Sequence, residues 1–277
     1  MGMRIATNVS SISAQRFLGL NGNNTSRSLE RLSSGSRINR AGDDAAGLAI
    51  SEKLKANIRS MKQATRNAND GVSMIQVAEG AMNEVSNILI RMRELSIQAS
   101  SDTIGDTERS FIDKEMQALK SEVDRIAAST DFNGRKLLDG SEANLEIQIG
   151  TKNNPLEDRF YYDTTEANTT LSSLGLGGVS TQNRVGAQEN LAMIDTALNR
   201  LNSNRSGLGA LQNRLMSTIN NLQISTENLS AANSRIRDTD MAEETSELTK
   251  GSILTQANVS VLGQANQSSQ LVLKLLS

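Results

Sequence analysis

The chain has 277 residues, 37% hydrophobic and only 2% aromatic, with one proline, no cysteine and no histidine. Without Cys there is neither a disulfide framework nor a thiolate metal site, and without His there is no Ser-His-Asp triad and no HExxH zinc helix. A net charge of −2 leaves no basic footprint for nucleic acid, and so few aromatics favour thin helical layers of Leu, Ile, Val, Met and Ala over a thick globular core.

The first ten residues, MGMRIATNVS, lack the apolar h-region of a secretory leader, and Ala6 stands where a myristoylation motif needs Ser or Thr. From Ile5 to Ser34 the apolar residues Ile5, Val9, Ile12, Phe17, Leu20, Leu29 and Leu32 fall at helical spacing. Ile5 to Gln15 carries no charge, and NGNNTS in the middle is poor helix material. This segment is predicted to need a partner to become ordered.

A polar break at Ser33–Ser36 follows, and then Asp43–Asp44 immediately precedes an Ala-rich run. A carboxylate there can accept hydrogen bonds from free first-turn N–H groups, so Leu29 to Glu52 reads as a joint between two helices. Beyond it one apolar stripe runs through Ile50, Leu54, Ile58, Met61, Ala64, Ala68, Val72, Ile75, Ala78, Met82, Val85, Leu89, Met92 and Ala99. At 1.5 Å per residue this predicts a rod of roughly 75 Å, weakened a little by Gly71 and Gly80. The loop SSDTIGDTER and a helix with Ile112, Met116, Leu119, Val123 and Ile126 on one face predict an antiparallel hairpin.

The period then changes. Asn133–Gly134 and Asp139–Gly140 are turn dipeptides, and Leu145, Ile147 and Ile149 alternate with polar residues as a strand, with Phe160–Tyr162 as its partner. A small β-hairpin element and then a loop from Glu166 to Gly178 are expected. LGLGGV at Leu174–Val179 has a superficial likeness to a phosphate loop but lacks the following Lys. From Leu191 to Ile236 a second heptad-like stripe runs, interrupted by Arg205. IRDTDMAEE is a second joint, with Asp240 and Glu243 at capping-box spacing, and a last helix runs from Met241 to the end. Gly251 to Leu273 holds no charged residue, yet its Gln and Asn residues argue against membrane insertion. A helix that is uncharged but polar all round points to burial among other chains.

Other constellations have structural readings. Asp43–Asp44 has no third ligand nearby and reads as capping rather than acid/base or metal chemistry. Asp131, Asn133 and Asp139 lack the distal Glu of a calcium loop and read as turn formers. Met61, Met82 and Met92 read as core filling. Arg91, Met92, Arg93 and Glu94 crowd one part of the rod, which by itself is a solvated face with local ion pairs.

The joint sequence LSSGSRINRAGDDAAGLAI resembles the signature of bacterial flagellin. RNANDGVSMIQVAEGAMNEV resembles the family's first long helix, DFNGRKLL its β-turn, QSSQLVLKLLS its closing helix, and RMRELSIQA its RxRELxxQA motif. The resemblance covers nearly the whole chain except Gly150 to Val185, where many flagellins insert large outer domains. It implies a mainly α fold of long antiparallel, coiled-coil-like helical rods with a small β-hairpin element. It also implies an inner-tube domain of residues 1–34 plus 241–277, joints at 35–44 and 237–240, and a helical core domain of 45–236 with a β-hairpin region at about 131–165.

The implied function is a structural, non-enzymatic subunit of the bacterial flagellar filament, self-assembling for swimming motility. It would be secreted through the flagellar type III export apparatus with an export chaperone, and would meet a filament cap and hook-junction proteins. Terminal-helix residues Ile5, Val9, Ile12, Leu254, Val261, Leu262, Val272 and Leu275 are the polymerisation candidates. Residue by residue, the family's protofilament ridge, which Toll-like receptor 5 also grips, falls on Arg91, Leu95 and Glu115. No cofactor, metal, nucleic acid or membrane insertion is implied. A hook–filament junction protein is the nearest alternative. A non-flagellar coiled-coil scaffold would carry charged e and g flanks on its terminal helices, which this chain lacks.

Overall fold

The computed structural model describes residues 7–142 and 144–276, with side chains through Ser268 in the last helix. The chain divides into two compact units, residues 1–56 with 228–277, and residues 57–227.

The first unit is built on α1 (Val9–Ser34) and α6 (Met241–Leu276), with the start of α2 (Ala45–Ala99) and the end of α5 (Arg184–Arg237). Asn8 caps α1 by accepting the Ser11 N–H at 3.1 Å. Gly35, at φ 68°, closes its other end and donates to the Arg31 carbonyl at 2.8 Å. The two adjacent aspartates divide the work at the joint. Asp43 accepts the Asn39 and Arg40 N–H groups at 3.2 and 3.0 Å, which holds its carboxyl below the usual carboxylate range. Asp44 accepts the Gly47 N–H at 2.8 Å and is the α2 cap. A Cβ at position 47 would stand 2.4 Å from the Asp44 carboxylate and 2.8 Å from the buried Ile38 side chain, so a larger residue there would push the capping carboxylate aside. The two joints are stitched together by an antiparallel bridge, Ser36 to Asp238. The Arg37 N–H donates to the Arg237 carbonyl at 2.6 Å, and the Thr239 N–H to the Gly35 carbonyl at 3.0 Å. Asp240 then caps α6 through the Ala242 and Glu243 N–H groups at 2.8 and 3.2 Å.

The second unit is a layer of α2, α3 (Asp106–Ser129) and α5 around one apolar core. The α2 stripe from Ala64 to Ala99 faces that core as its periodicity predicts, and Ile112, Met116 and Val123 of α3 face it too. From α5 come Ile194, Ala197, Leu201, Leu208, Leu215 and Ile219. Polar pairs fix the directions. Arg91 bridges to Glu115 at 2.9 Å and the Arg109 guanidinium donates to the Ala99 carbonyl at 2.9 Å, so α2 and α3 are antiparallel. Arg93–Asp195 at 2.7 Å and Arg205–Glu79 at 3.9 Å set α5 antiparallel to α2, giving the interrupting Arg205 a partner.

The β region holds two hairpins where one was expected. β1 (Asp131–Phe132) and β2 (Arg135–Lys136) flank Asn133 and Gly134, both at positive φ, 51° and 80°. Those angles are the primed turn that Asn-Gly favours. β3 (Leu145–Gln148) pairs antiparallel with β4 (Arg159–Tyr162), Leu145 opposite Tyr162. This hairpin explains Gly71, because a Cβ there would lie 2.8 Å from the Ile147 Cδ1. The Tyr162 hydroxyl is buried and donates to the Leu137 carbonyl at 2.8 Å, and burial pushes its pKa up.

The expected loop 166–178 contains a single helical turn, α4 (Leu171–Leu174), capped by Thr170 and ended by Gly175 at φ 74°. LGLGGV seals the core with Leu176 and Val179, and its Gly177 and Val179 carbonyls accept from the Lys120 ammonium at 2.9 and 3.0 Å. Carbonyls aimed at a lysine are the reverse of the N–H cradle a phosphate needs. Buried Asp113 straps the next segment down, accepting the Thr181 N–H at 2.8 Å and the Ser180 hydroxyl at 3.0 Å. Burial pushes that carboxyl up, but hydrogen bonds from Thr181, Gln182, Ser180 and Gln117 outweigh it and hold it below the usual range.

Candidate assembly surface

α1 and α6 pack against each other antiparallel. Asn8 donates to the Ala265 carbonyl at 2.9 Å, Ser11 to the Asn266 side chain at 2.9 Å, and Arg31 pairs with Glu244 at 3.5 Å. The less exposed positions alternate three and four residues apart on both helices. They are Ser11, Ala14, Leu18, Asn21, Thr25 and Ser28 on α1, and Glu244, Leu248, Gly251, Thr255, Asn258, Leu262 and Ala265 on α6. That is heptad spacing, but the seam is made mostly of small and polar residues. Apart from Leu18, Leu248 and Leu262, the large apolar side chains of the described part of the pair point away from it. Val9, Ile12, Phe17, Leu20 and Leu29 on α1, and Ile253, Leu254, Val259 and Val261 on α6, are 42–62% exposed. An ordinary helix pair buries such residues and wets its polar face; this pair does the opposite.

Apart from Arg16, which lies over the Phe17 ring, most charges of this unit gather near the joints, where Arg27, Arg31 and Arg37 face Asp240, Glu243, Glu244 and Glu247 across a groove of about 400 Å³. Further along, the exposed face offers apolar area with Ser, Asn and Gln between. A contiguous apolar surface of this kind marks an interaction site. Among the described residues no group of three or more acidic side chains is placed to hold a metal ion, and no helix is long and apolar enough to cross a membrane.

Of the polymerisation candidates, Val9, Ile12, Leu254 and Val261 lie on the exposed faces, while Leu262 is half-buried in the seam. Ile5 lies outside the described residues, and Val272 and Leu275 lie in α6 where side chains are outside them. Phe17 and Leu20 belong to the same surface. Their signal in the sequence was large apolar residues amid Ser, Asn and Gly.

The second candidate group is brought together only in part. Arg91 bridges Glu115 across the α2–α3 hairpin at 2.9 Å and Glu94 at 3.0 Å, forming an exposed ion cluster. Both carboxylates stabilise the charged guanidinium, Glu115 more strongly, and raise its pKa. Leu95, by contrast, is 1% exposed in the subunit and packs into the core. On α2 it lies three residues beyond Met92, on the stripe that faces the bundle. The large apolar side chains that do stand out on α2 and α3 are Val77, Ile90, Ile97 and Phe111, which periodicity did not single out, and Ile50, which it had placed on the stripe.

Family models match both ends of the chain. "Bacterial flagellin N-terminal helical region" matches residues 5–143 and "Bacterial flagellin C-terminal helical region" residues 191–276. A flagellin of Halalkalibacterium halodurans is 46% identical over 99% of this chain and 100% of its own length. A flagellar filament 30.7 kDa core protein of Treponema maltophilum is 44% identical over the same shares. Among solved structures, Bacillus cereus flagellin is similar at a TM-score of 0.51 and 32% identity, covering 61% of this chain and 94% of that one.

Proposed function

The chain belongs to the bacterial flagellin family and is a subunit of the flagellar filament, and on that premise we propose how its terminal pair builds the polymer. Residues 1–34 and 241–277 form the inner tube. There the outward apolar faces of α1 and α6 meet those of neighbouring copies. The observation that carries this reading is the helix pair itself, with nine large apolar side chains outward and a seam in which small and polar residues outnumber Leu18, Leu248 and Leu262. Each is about half exposed, so covering all nine is worth on the order of 10 kcal/mol per subunit before ordering costs. The two faces that meet are different surfaces of the same chain, and such a contact, repeated without closing into a ring, generates an open helical polymer.

The role is structural, and the filament is the extracellular part of the flagellum. The motor turns the filament, and this chain supplies stiffness through α2 and α5, with no catalytic step. Exposed, half-apolar ends are what an export chaperone must cover before the chain passes unfolded through the type III apparatus, and what a cap must fold at the growing tip. The Arg91–Glu115 cluster is the ridge for the protofilament contact and for Toll-like receptor 5. A hook–filament junction role has no observation in its favour beyond those that support the filament.

The test is seeded polymerisation of chains lacking residues 1–34 or 241–277. Both should fail to elongate seeds, while circular dichroism shows the 57–227 unit melting as in the full chain. Normal filaments from either truncation would refute the tube assignment.

A further inference from the structure

The connection between β3 and β4 lies outside both the terminal pair and the Arg91–Glu115 cluster. Its Leu156 is the most exposed large apolar side chain among the described residues, at 92%. Leu156 stands on a knuckle that is built rather than loose. Asp158 is buried, and its carboxylate accepts the Asn154 N–H at 2.9 Å and the Lys152 N–H at 3.4 Å. The Asp158 carbonyl accepts the Ile149 and Gly150 N–H groups at 2.8 and 3.0 Å, and the Asn154 Oδ1 accepts the Leu156 N–H at 3.2 Å. Gln148 donates to the Gly150 and Lys152 carbonyls at 3.1 and 2.9 Å. Pro155, the one proline of the chain, fixes φ just before Leu156. A backbone ordered in advance presents its side chain to a partner at little entropic cost. Exposed Lys152 and Glu157 flank the leucine with opposite charges.

The same 57–227 unit holds a groove of about 570 Å³ between α5 and the segment that follows β4. Leu208 and Leu211 give it apolar area, Arg200 and Arg214 stand on the α5 wall, and Asp163 and Glu166 on the facing wall. Both arginines are held in place, Arg200 by the Ser173 carbonyl at 2.6 Å and Arg214 over the Phe160 ring at 4.5 Å. Asn204 lies one turn beyond Arg200, and its amide nitrogen is buried with no hydrogen-bond partner among the described residues. Such a donor keeps its desolvation penalty until an acceptor reaches it. The groove therefore fits an apolar group that carries an acceptor towards α5 and a cation towards the acidic wall. We infer that the Leu156 knuckle of one subunit docks in this groove of a neighbouring copy. Leu156 fills the apolar part, the Glu157 carboxylate accepts from Asn204 and Arg200, and Lys152 meets Glu166. A chain's own knuckle does not occupy its groove, because Leu156 is exposed in the subunit. Knuckle and groove are different surfaces, so each copy offers one of each and the contact passes from copy to copy. The inference rests on the filament reading and adds a pair of contact surfaces distinct from the terminal helices.

The native chain has no cysteine, so Leu156→Cys combined with Ser203→Cys, at the edge of the groove, reports the contact without background. Wild-type seeds are grown with equal parts of wild type and this double variant, treated with a short bis-maleimide and run on a denaturing gel. Cross-linked dimers and higher multimers are expected from filament and none from dilute monomer or from either single variant. In parallel, Leu156→Asp should elongate seeds at least tenfold more slowly than wild type, since its carboxylate would enter the apolar part of the groove. Leu156→Met, which nearly keeps volume, should elongate close to the wild-type rate. An unchanged melt of the 57–227 unit shows that each variant is folded. Filaments without inter-chain cross-links would overturn the inference, as would Leu156→Asp elongating at the wild-type rate. Dimers from Leu156→Cys alone would set knuckle against knuckle and overturn it too. Elongation by wild type is read separately. If it fails, the filament reading falls. If it succeeds without cross-links, only the knuckle contact falls.

Discussion

Replacing Val261 with aspartate should stop filament growth without unfolding the subunit. Val261 lies on the outward face of α6 and is 53% exposed, so the folded subunit leaves about half of it for neighbours to cover. Losing that apolar contact costs about 1 kcal/mol. The larger effect is the charge. No Lys or Arg lies between Gly251 and Leu273, so a carboxylate in a dry contact gains no cation on its own helix. Burying it unpaired costs several kcal/mol or forces it to take up a proton. A total near 4 kcal/mol per subunit raises the critical concentration about a thousandfold. In free monomer the same carboxylate stays in water. The assay is seeded polymerisation at neutral pH beside a circular dichroism melt of the monomer. Normal filaments would refute burial of this face, and a collapsed monomer melt would instead place Val261 in the subunit's own core.

Gly71→Val should lower the stability of the 57–227 unit by about 1–3 kcal/mol through overpacking against Ile147, read as a shift in the urea midpoint. Asp113→Asn should cost about 1–3 kcal/mol at pH 7. Because the native Asp113 carboxyl is depressed, its contribution is full above the ordinary aspartate value and is lost as pH falls through the native one. Wild type should therefore lose stability in acid more steeply than the variant, and parallel urea titrations down to about pH 3 check this. Leu95→Ala should destabilise the unit by about 2–5 kcal/mol as a core truncation, whereas Arg91→Ala should change it by less than about 1 kcal/mol. If wild type is active in a Toll-like receptor 5 reporter titration, Arg91→Ala should lose potency, and unchanged potency would remove Arg91 from the ridge.

The long rods were legible because hydrophobic period alone specifies them. Met82, Leu89 and Met92 all turn inward as their spacing demands. The Asp44 cap and the Asn133–Gly134 turn were legible because each rests on local backbone chemistry. What stayed hidden depends on partners far away in the chain. Gly71 reads as a weak point in a helix until Ile147 is seen against it, and Asp113 reads as one more surface acid until Thr181 donates to it. Leu95 was assigned to the ridge by motif, although its place on the stripe beside Met92 puts it in the core. The terminal pair shows the limit most clearly. Period reading assigns the apolar residues of a helix to its own core. Here Ile12, Phe17 and Val261 are left outside, and Ser11, Thr25 and Asn258 take the seam. Their exclusion is the basis for proposing that other chains cover this face.

A single thiol tests whether the outward face of the terminal pair is buried between subunits. The native chain has no cysteine, so Val261→Cys carries one reporter and no background. Its labelling rate by a small maleimide is compared in dilute monomer, in filaments seeded from wild type, and in the same filaments after dissociation. Labelling should be fast in monomer, at least a hundredfold slower in filament, and fully recovered on dissociation. Equal rates in monomer and intact filament would contradict that burial.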